Sequence, residues 1–102
     1  ASHAQHALAK MQMPTFGGML SFDVGNADKA LKVLDGLRLA CFAASLGGVR
    51  TTTQIPASMA FLDIPEDERR QMGISDGMIR VSVGIEDIDD LIEDFDRALA
   101  LV

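Results

Sequence analysis

A single arginine in the middle of a short apolar strand is the residue of this chain best suited to chemistry. Residues 77–87 read GMIRVSVGIED, an alternation that predicts a β-strand with Ile79 and Val81 on one face and Arg80 on the other. An unpaired guanidinium on a half-buried strand is costly, so Arg80 must have an anionic partner. Its planar fork suits a carboxylate held at two points. Two interpretations are open: Arg80 binds an anionic ligand, or it pairs with one of the chain's own 15 acidic residues.

Other residues that could do chemistry are sparse. His3 and His6 are three positions apart near the start of the chain, and we interpret them as incidental. Cys41 is the single cysteine and lies in an apolar run, which predicts a buried thiol in a reducing compartment. Gly47-Gly48 is too short for a phosphate-binding signature, and Ser45 has no histidine base near it in sequence. We therefore expect no metal site, no cofactor-binding residue and no complete catalytic site in this chain.

Length, composition and charge limit the classes of partner. The chain has 102 residues, 48% of them hydrophobic and 24% charged, which predicts one globular domain with a modest core. The net charge of -6 argues against nucleic acid and anionic lipid as partners. No apolar run approaches the ~20 residues that a membrane helix needs. The first ten residues do not resemble a signal peptide, so we expect a cytoplasmic protein.

The hydrophobic periodicity predicts the element order β-α-β-β-α-β-α. Strands are predicted at 19–24, 39–44, 49–54 and 78–83, and helices at 27–38, at 63–73 and from 87 onward. The nearly all-apolar 39–44 is predicted to be central and the threonine-rich 49–54 to be an edge strand. Short connections favour an α+β two-layer sandwich, with an antiparallel sheet of three to four strands and helices mainly on one face.

Two regions are less strongly patterned. Residues 1–15 fit either a short helix with Leu8 and Met11 inward or a linker, so we assign 1–15 to an approach segment and 16–102 to the domain. Seven acidic residues lie between Glu86 and Asp96, and we interpret them as the solvated face of the last helix. The predicted sheet face that carries Arg80 also carries two methionines and two serines, a mixture that suggests another surface covers it.

Three segments of the chain together resemble one enzyme family. They are Ser45-Leu46-Gly47-Gly48-Val49, Ile55-Pro56-Ala57-Ser58-Met59, and the run from Gly73 through the Arg80 strand to Asp87. In this order they resemble the C-terminal domain of the pyridoxal-phosphate-dependent Cys/Met-metabolism enzymes. That family includes cystathionine gamma-synthase, cystathionine gamma-lyase, methionine gamma-lyase and the O-acetylhomoserine sulfhydrylases. The Ser45 and Arg80 segments carry most of the resemblance, which extends over nearly the whole chain.

The resemblance implies a role for four residues. The family's arginine at the position of Arg80 binds the substrate α-carboxylate, and its serine at the position of Ser45, with the Leu46-Gly47 backbone, lines the same pocket. The resemblance also implies that pyridoxal 5'-phosphate and the Schiff-base lysine belong to a large domain outside this sequence. Lys10, Lys29 and Lys32 match no such motif. The expected partners are therefore an amino-acid substrate, the large domain of the same chain and, in the full-length enzyme, other copies of the protein.

This chain departs from the family pattern at a few positions, and these bear on reaction type. Arg50 replaces a common acid, Ile55 precedes the proline where many members have histidine, and Ala60-Phe61 replaces Thr-His. Small, neutral Ala44 precedes the serine, where lyases and synthases differ. The choice between elimination and replacement stays open.

The sequence thus leads to three function hypotheses. The first is the substrate-carboxylate-binding domain of a pyridoxal-phosphate enzyme of trans-sulfuration, gamma-elimination or gamma-replacement, inactive as an isolated chain. The second is a stand-alone module that binds an amino acid or another protein without catalysis. The third is a purely structural domain that caps a dimer.

Overall fold

The structure is a computed structural model, and it describes residues 3–102. Ala1 and Ser2, the first residues of the predicted approach segment, lie outside the described part. Four helices, four strands and one 3-10 turn follow each other in this order: α1 (His6–Gln12), β1 (Met19–Asp23), α2 (Ala27–Gly36), β2 (Cys41–Phe42), β3 (Thr52–Gln54), the 3-10 turn (Pro56–Ser58), α3 (Glu66–Gln71), β4 (Met78–Ser82) and α4 (Ile88–Leu99). The predicted order of strands and helices is confirmed from β1 onward, and a short helix, α1, forms within the approach segment.

The four strands form one mixed sheet in the order β1-β4-β3-β2. β4 pairs antiparallel with both β1 and β3, whereas β2 pairs parallel with β3. The α+β class is confirmed, but the expectation of a purely antiparallel sheet is wrong, because the β2–β3 pair is parallel.

The predicted places of the second and third strands are reversed. β3 lies inside the sheet, while β2 is a two-residue strand at its edge. The apolar run before β2 does not continue the ladder, because the carboxylate of Asp94 accepts hydrogen bonds from the backbone N–H groups of Arg38, Leu39 and Ala40. Sequence periodicity could not show this competition for the backbone donors. Cys41, predicted to be buried, is partly exposed at this edge.

The core lies between one face of the sheet and two helices. Its buried side chains are Ala30, Val33 and Leu34 of α2, Ile55 and Ala57 after β3, Ile79 and Val81 of β4, and Ala98 of α4. α2 and α4 pack closely because Gly36 lies against Ala98, where a Cβ atom on the glycine would come within 3.3 Å. Asn26 caps α2 as predicted, since its side chain accepts from the Lys29 N–H at 3.0 Å. With α2 and α4 on the Ile79 face, the face that carries Arg80 points away from the core.

α4 begins as predicted, with the side chain of Asp87 accepting from the N–H groups of Asp89 and Asp90. Its apolar stripe is only partly covered, since Leu91 is buried while Ile92 is 52% exposed. The acidic run is not uniformly solvated, because Asp94 is buried. That part of the expectation is wrong.

The remaining helices are short and contain no buried residues. α3 begins at Glu66 after Pro65, three residues later than the predicted start at Asp63. Leu8 and Met11 of α1, predicted to point inward, are exposed. No helix among residues 3–102 combines the length and the apolar character needed to cross a bilayer.

Candidate functional site

Arg80 lies at the centre of the sheet, on β4 between β1 and β3. Its cross-strand neighbours in the register are Ser21 on β1 and Gln54 on β3. Residues paired across neighbouring strands point to the same face, so these three side chains form a row across the middle of the sheet. Ile79 and Val81, on either side of Arg80 in sequence, point into the core. The predicted alternation along β4 is confirmed.

The partners of the Arg80 guanidinium are neutral. The amide of the buried Gln54 side chain lies against the Arg80 guanidinium, and with its oxygen oriented toward Arg80 that oxygen is 3.1 Å from Nη1 and Nη2 and 3.2 Å from Nε. Arg80 Nη2 also donates to the backbone carbonyl of Ser45 at 3.3 Å. The ion pairs among residues 3–102 are Arg69–Asp76, Arg70–Glu66 and Arg97–Asp94, and none involves Arg80. The interpretation that Arg80 pairs with an acid of its own chain is therefore wrong for these residues.

The segment from 43 to 50, here called the Ser45 loop, joins β2 to β3 beside Arg80. The carbonyl oxygen of Ser45 accepts from Thr52 Oγ1 at 3.0 Å as well as from Arg80. Gly47 has a φ of 72°, a left-handed conformation that glycine adopts without steric cost. The structure thus brings together two of the predicted site residues, Ser45 and Arg80, through a direct hydrogen bond.

The donors of the Ser45 loop differ in their availability. The Gly47 N–H is engaged, because it donates to Ser82 Oγ at 2.8 Å. Neither the Ser45 hydroxyl nor the Leu46 N–H takes part in a hydrogen bond among residues 3–102. The Leu46 side chain is exposed. The Ser45 hydroxyl and the Leu46 N–H are therefore the available donors of the loop, whereas the Gly47 N–H is not available.

A partly buried network holds the far end of the Ser45 loop. The Glu86 carboxylate accepts from the Thr51 N–H at 2.6 Å and from Thr51 Oγ1 at 2.8 Å. Thr51 Oγ1 in turn accepts from the Gly84 N–H at 2.9 Å. The two hydrogen bonds from Thr51 lower the pKa of Glu86 below its ordinary value, because they favour the charged carboxylate. The segment after β4 therefore fixes the point at which the loop enters β3.

Gln54, Ser82 and Glu86 are site residues that the sequence reasoning did not identify. Each acts through a partner more than twenty residues away in sequence, and only the strand register brings the partners together. For Gln54 and Ser82 the available signal was a polar residue on the Arg80 face of β3 or β4, whereas Glu86 lies outside both strands and offered no such signal.

The histidines and lysines lie away from this arrangement. His6 stacks on Phe16 with ring centroids 5.4 Å apart, and residues 3–102 contain no cluster of three potential metal ligands. Lys29 and Lys32 lie on α2, which packs on the core face of the sheet, and Lys10 is exposed on α1.

Comparisons with known proteins agree on one family. The model of the "Cys/Met metabolism PLP-dependent enzyme" family matches residues 1–100. A cystathionine gamma-lyase from Bacillus subtilis is 46% identical over 99 residues, which are 97% of this chain and 26% of that protein. The chain thus spans about a quarter of the length of the curated relative.

Solved structures share the fold. A Campylobacter jejuni protein assigned as an O-acetylhomoserine (thiol)-lyase, whose crystal structure contains N'-pyridoxyl-lysine-5'-monophosphate, superposes with a TM-score of 0.92 at 34% identity. The match covers 98% of this chain and 24% of that one. The cystathionine gamma synthase of Xanthomonas oryzae pv. oryzae, in complex with aminoacrylate and cysteine, gives a TM-score of 0.88 at 42% identity, covering 98% of this chain and 26% of that one.

Proposed function

The chain belongs to the family of Cys/Met-metabolism enzymes that depend on pyridoxal phosphate, and on that premise we propose that it is the substrate-carboxylate-binding domain of a longer enzyme of sulfur amino-acid metabolism. The observation that carries the proposal is that Arg80 has only neutral partners among residues 3–102. A guanidinium whose charge is uncompensated at the centre of a sheet face keeps its full attraction for a carboxylate.

In this proposal the chain binds and orients the substrate. Arg80 holds the α-carboxylate, and the Ser45 hydroxyl and the Leu46 N–H supply the further hydrogen bonds that a carboxylate accepts. Two-point contact fixes the direction of the Cα substituents, which is the contribution that positioning makes to catalysis. Pyridoxal phosphate, when bound, supplies the electron sink for bond breaking at and beyond Cα.

We assign the cofactor and its lysine to the part of the parent protein outside these residues. The places of Lys10, Lys29 and Lys32 support this assignment. The large domain of the parent protein, which lies outside these residues, would cover the Arg80 face of the sheet. The parent enzyme is proposed to be cytoplasmic and homo-oligomeric. Because its similar proteins include lyases and a synthase, the reaction is proposed only as elimination or replacement on a sulfur amino acid or a homoserine ester.

Substitution of Arg80 in the full-length protein tests the carboxylate role. Arg80→Ala is expected to raise KM for an amino-acid substrate about 10- to 150-fold, the magnitude of a lost charge-assisted hydrogen bond, without changing the cofactor absorbance. Arg70→Ala is the matched control, because Arg70 pairs with Glu66 on the exposed surface of α3. A KM that is the same in the Arg80 variant and the parent would refute the role.

The alternative is a stand-alone module that binds an amino acid or another protein without catalysis. The mass of the protein as its source cells make it separates the two proposals. A mass several times that of this 10.9 kDa chain, with pyridoxal phosphate attached, supports the enzyme. A native product of about this chain's mass supports the module and overturns the enzyme assignment.

A further inference from the structure

The Ser45 loop is held in place by polar contacts and gains little from apolar packing. Residues 44–50 are all exposed, so no hydrophobic side chain of this segment anchors it in the core. A short exposed segment without such an anchor keeps one conformation only where hydrogen bonds fix it. The groups that make those bonds therefore decide how far the Ser45 hydroxyl and the Leu46 N–H lie from Arg80.

The first of these groups is the hydroxyl of Ser82. Ser82 is 2% exposed and accepts from the Gly47 N–H at 2.8 Å, at the middle of the Ser45 loop. It stands two residues after Arg80 on β4, so both side chains point to the same sheet face about 7 Å apart along the strand. The middle of the loop is thus fixed to the same rigid strand that carries the guanidinium.

The second group is the carboxylate of Glu86. Both of its oxygens accept from Thr51, which is fully buried at the end of the Ser45 loop. The Ile85 N–H adds a backbone hydrogen bond to the Val49 carbonyl at 3.0 Å. The segment that follows β4 thereby fixes the loop's exit. These two attachments belong to β4 and its continuation, and Thr52 Oγ1 of β3 adds a third at the Ser45 carbonyl.

We propose that Ser82 and Glu86 are positioning residues that set the geometry of the carboxylate site. They touch no ligand themselves; they hold the donors of the Ser45 loop at a fixed distance from Arg80. This inference rests on the proposed function, because it takes the α-carboxylate of an amino acid as the ligand. In this inference Arg80 binds the carboxylate, and Ser82 and Glu86 add to the selectivity for ligands that carry it by holding the loop donors in place.

The test compares two ligands that differ only in the carboxylate. L-norleucine and pentylamine share the same amine and carbon chain, and their binding to the full-length holoenzyme is measured by calorimetry. Ser82→Ala removes the acceptor for the Gly47 N–H. It is expected to lower the affinity for L-norleucine about 5-fold, the worth of one neutral hydrogen bond. Pentylamine binding is expected to stay the same, and amide exchange within residues 43–51 is expected to be faster.

Two further variants make the test specific. Ser75→Ala removes a hydroxyl that donates to Asp23 just before the start of β4, at the end of the strand opposite Ser82. It is expected to leave the affinities for both ligands unchanged. Glu86→Gln keeps the size of the side chain but loses one of its two acceptor oxygens. We expect the affinity for L-norleucine to fall about 3-fold and the affinity for pentylamine to stay the same. If Ser82→Ala does not yield folded protein, the Glu86 variant decides the outcome by the same criterion.

The failure of this inference differs from the failure of the proposed function. If Arg80→Ala weakens L-norleucine selectively while Ser82→Ala and Glu86→Gln do not, the positioning role is overturned and the carboxylate site stands. Equal losses for both ligands in the Ser82 variant also overturn it, since they indicate a general structural defect. If Arg80→Ala itself leaves the preference for L-norleucine unchanged, the proposed function fails and takes this inference with it.

Discussion

The buried carboxylate of Asp94 on α4 accepts a hydrogen bond from the backbone N–H of Ala40 at 3.0 Å, across 54 positions of sequence. The same carboxylate accepts from the N–H groups of Arg38 and Leu39 and from the side chain of Arg97. The backbone N–H groups of three consecutive residues just after α2 thus all find their acceptor in one side chain. This cluster stabilises the turn that directs the chain into β2 and the Ser45 loop.

Removal of the Asp94 carboxylate is expected to destabilise the fold strongly. Asp94→Ala leaves three backbone donors without their acceptor and Arg97 without its carboxylate partner, which costs about 3 kcal/mol of unfolding free energy. Glu93→Ala is the matched control, because Glu93 is the exposed acid next to it on α4. Thermal unfolding of the full-length protein and amide exchange in residues 38–42 measure the effect. Equal changes in the two variants would refute the role of Asp94.

The same carboxylate makes stability depend on pH. Burial would raise the pKa of Asp94, but hydrogen bonds from the N–H groups of Ala40, Arg38 and Leu39, together with Arg97, outweigh it and lower the pKa. A lowered pKa in the folded state means that the full stabilisation is present above the unfolded value of about 3.9 and is lost as the pH falls through the folded value.

We therefore expect the difference in unfolding free energy between the parent and Asp94→Asn to be constant near neutral pH and to shrink below about pH 4. Denaturant unfolding at a series of pH values measures it, and the comparison cancels the contributions of the other acids. A difference that is the same at pH 3 and pH 7 would show that the charge of Asp94 is not what stabilises the turn.

A side chain at Gly84 is expected to displace the exit of the Ser45 loop. A Cβ atom there would come within 2.4 Å of the Val49 carbonyl oxygen and 2.6 Å of the Arg50 carbonyl carbon, both of them backbone atoms. Gly84→Ala should therefore cost about 1–3 kcal/mol of unfolding free energy, as overpacking does. Gly48→Ala is the control, since a Cβ at that position meets no atom within 4 Å. Similar stability of the two variants would contradict the close approach.

The sequence was sufficient for features that depend on local pattern. The alternation around Arg80 and the starts of the helices near residues 27 and 87 were predicted correctly, because each follows from neighbouring residues. The polar Arg80 face also followed from alternation. The resemblance of the Ser45 and Arg80 segments to one family identified the family that the comparisons then showed.

The features that depend on contacts between distant residues were not predictable. The parallel pairing of β2 with β3 is set by strand order, and β2 is short because Asp94 takes the backbone donors before it. Asp94 looked like one acid in a charged run, since nothing in its neighbourhood distinguishes it from Glu93. Likewise, Gln54 precedes an Ile-Pro break, and only the register with β4 shows that it faces Arg80.

Gln54 provides the last prediction, because its amide is the buried neutral partner of the Arg80 guanidinium. Gln54→Leu keeps a similar volume but removes the polar amide, so Arg80 retains only the Ser45 carbonyl and is less well oriented. In the full-length holoenzyme we expect binding of L-norleucine to weaken about 5-fold while binding of pentylamine is unaffected, the worth of one neutral polar contact. Gln71→Leu, on the exposed surface of α3, is the matched control and should leave both affinities unchanged. Unchanged L-norleucine binding in the Gln54 variant would mean that Arg80 is oriented without its amide partner, by the strand and the Ser45 carbonyl alone.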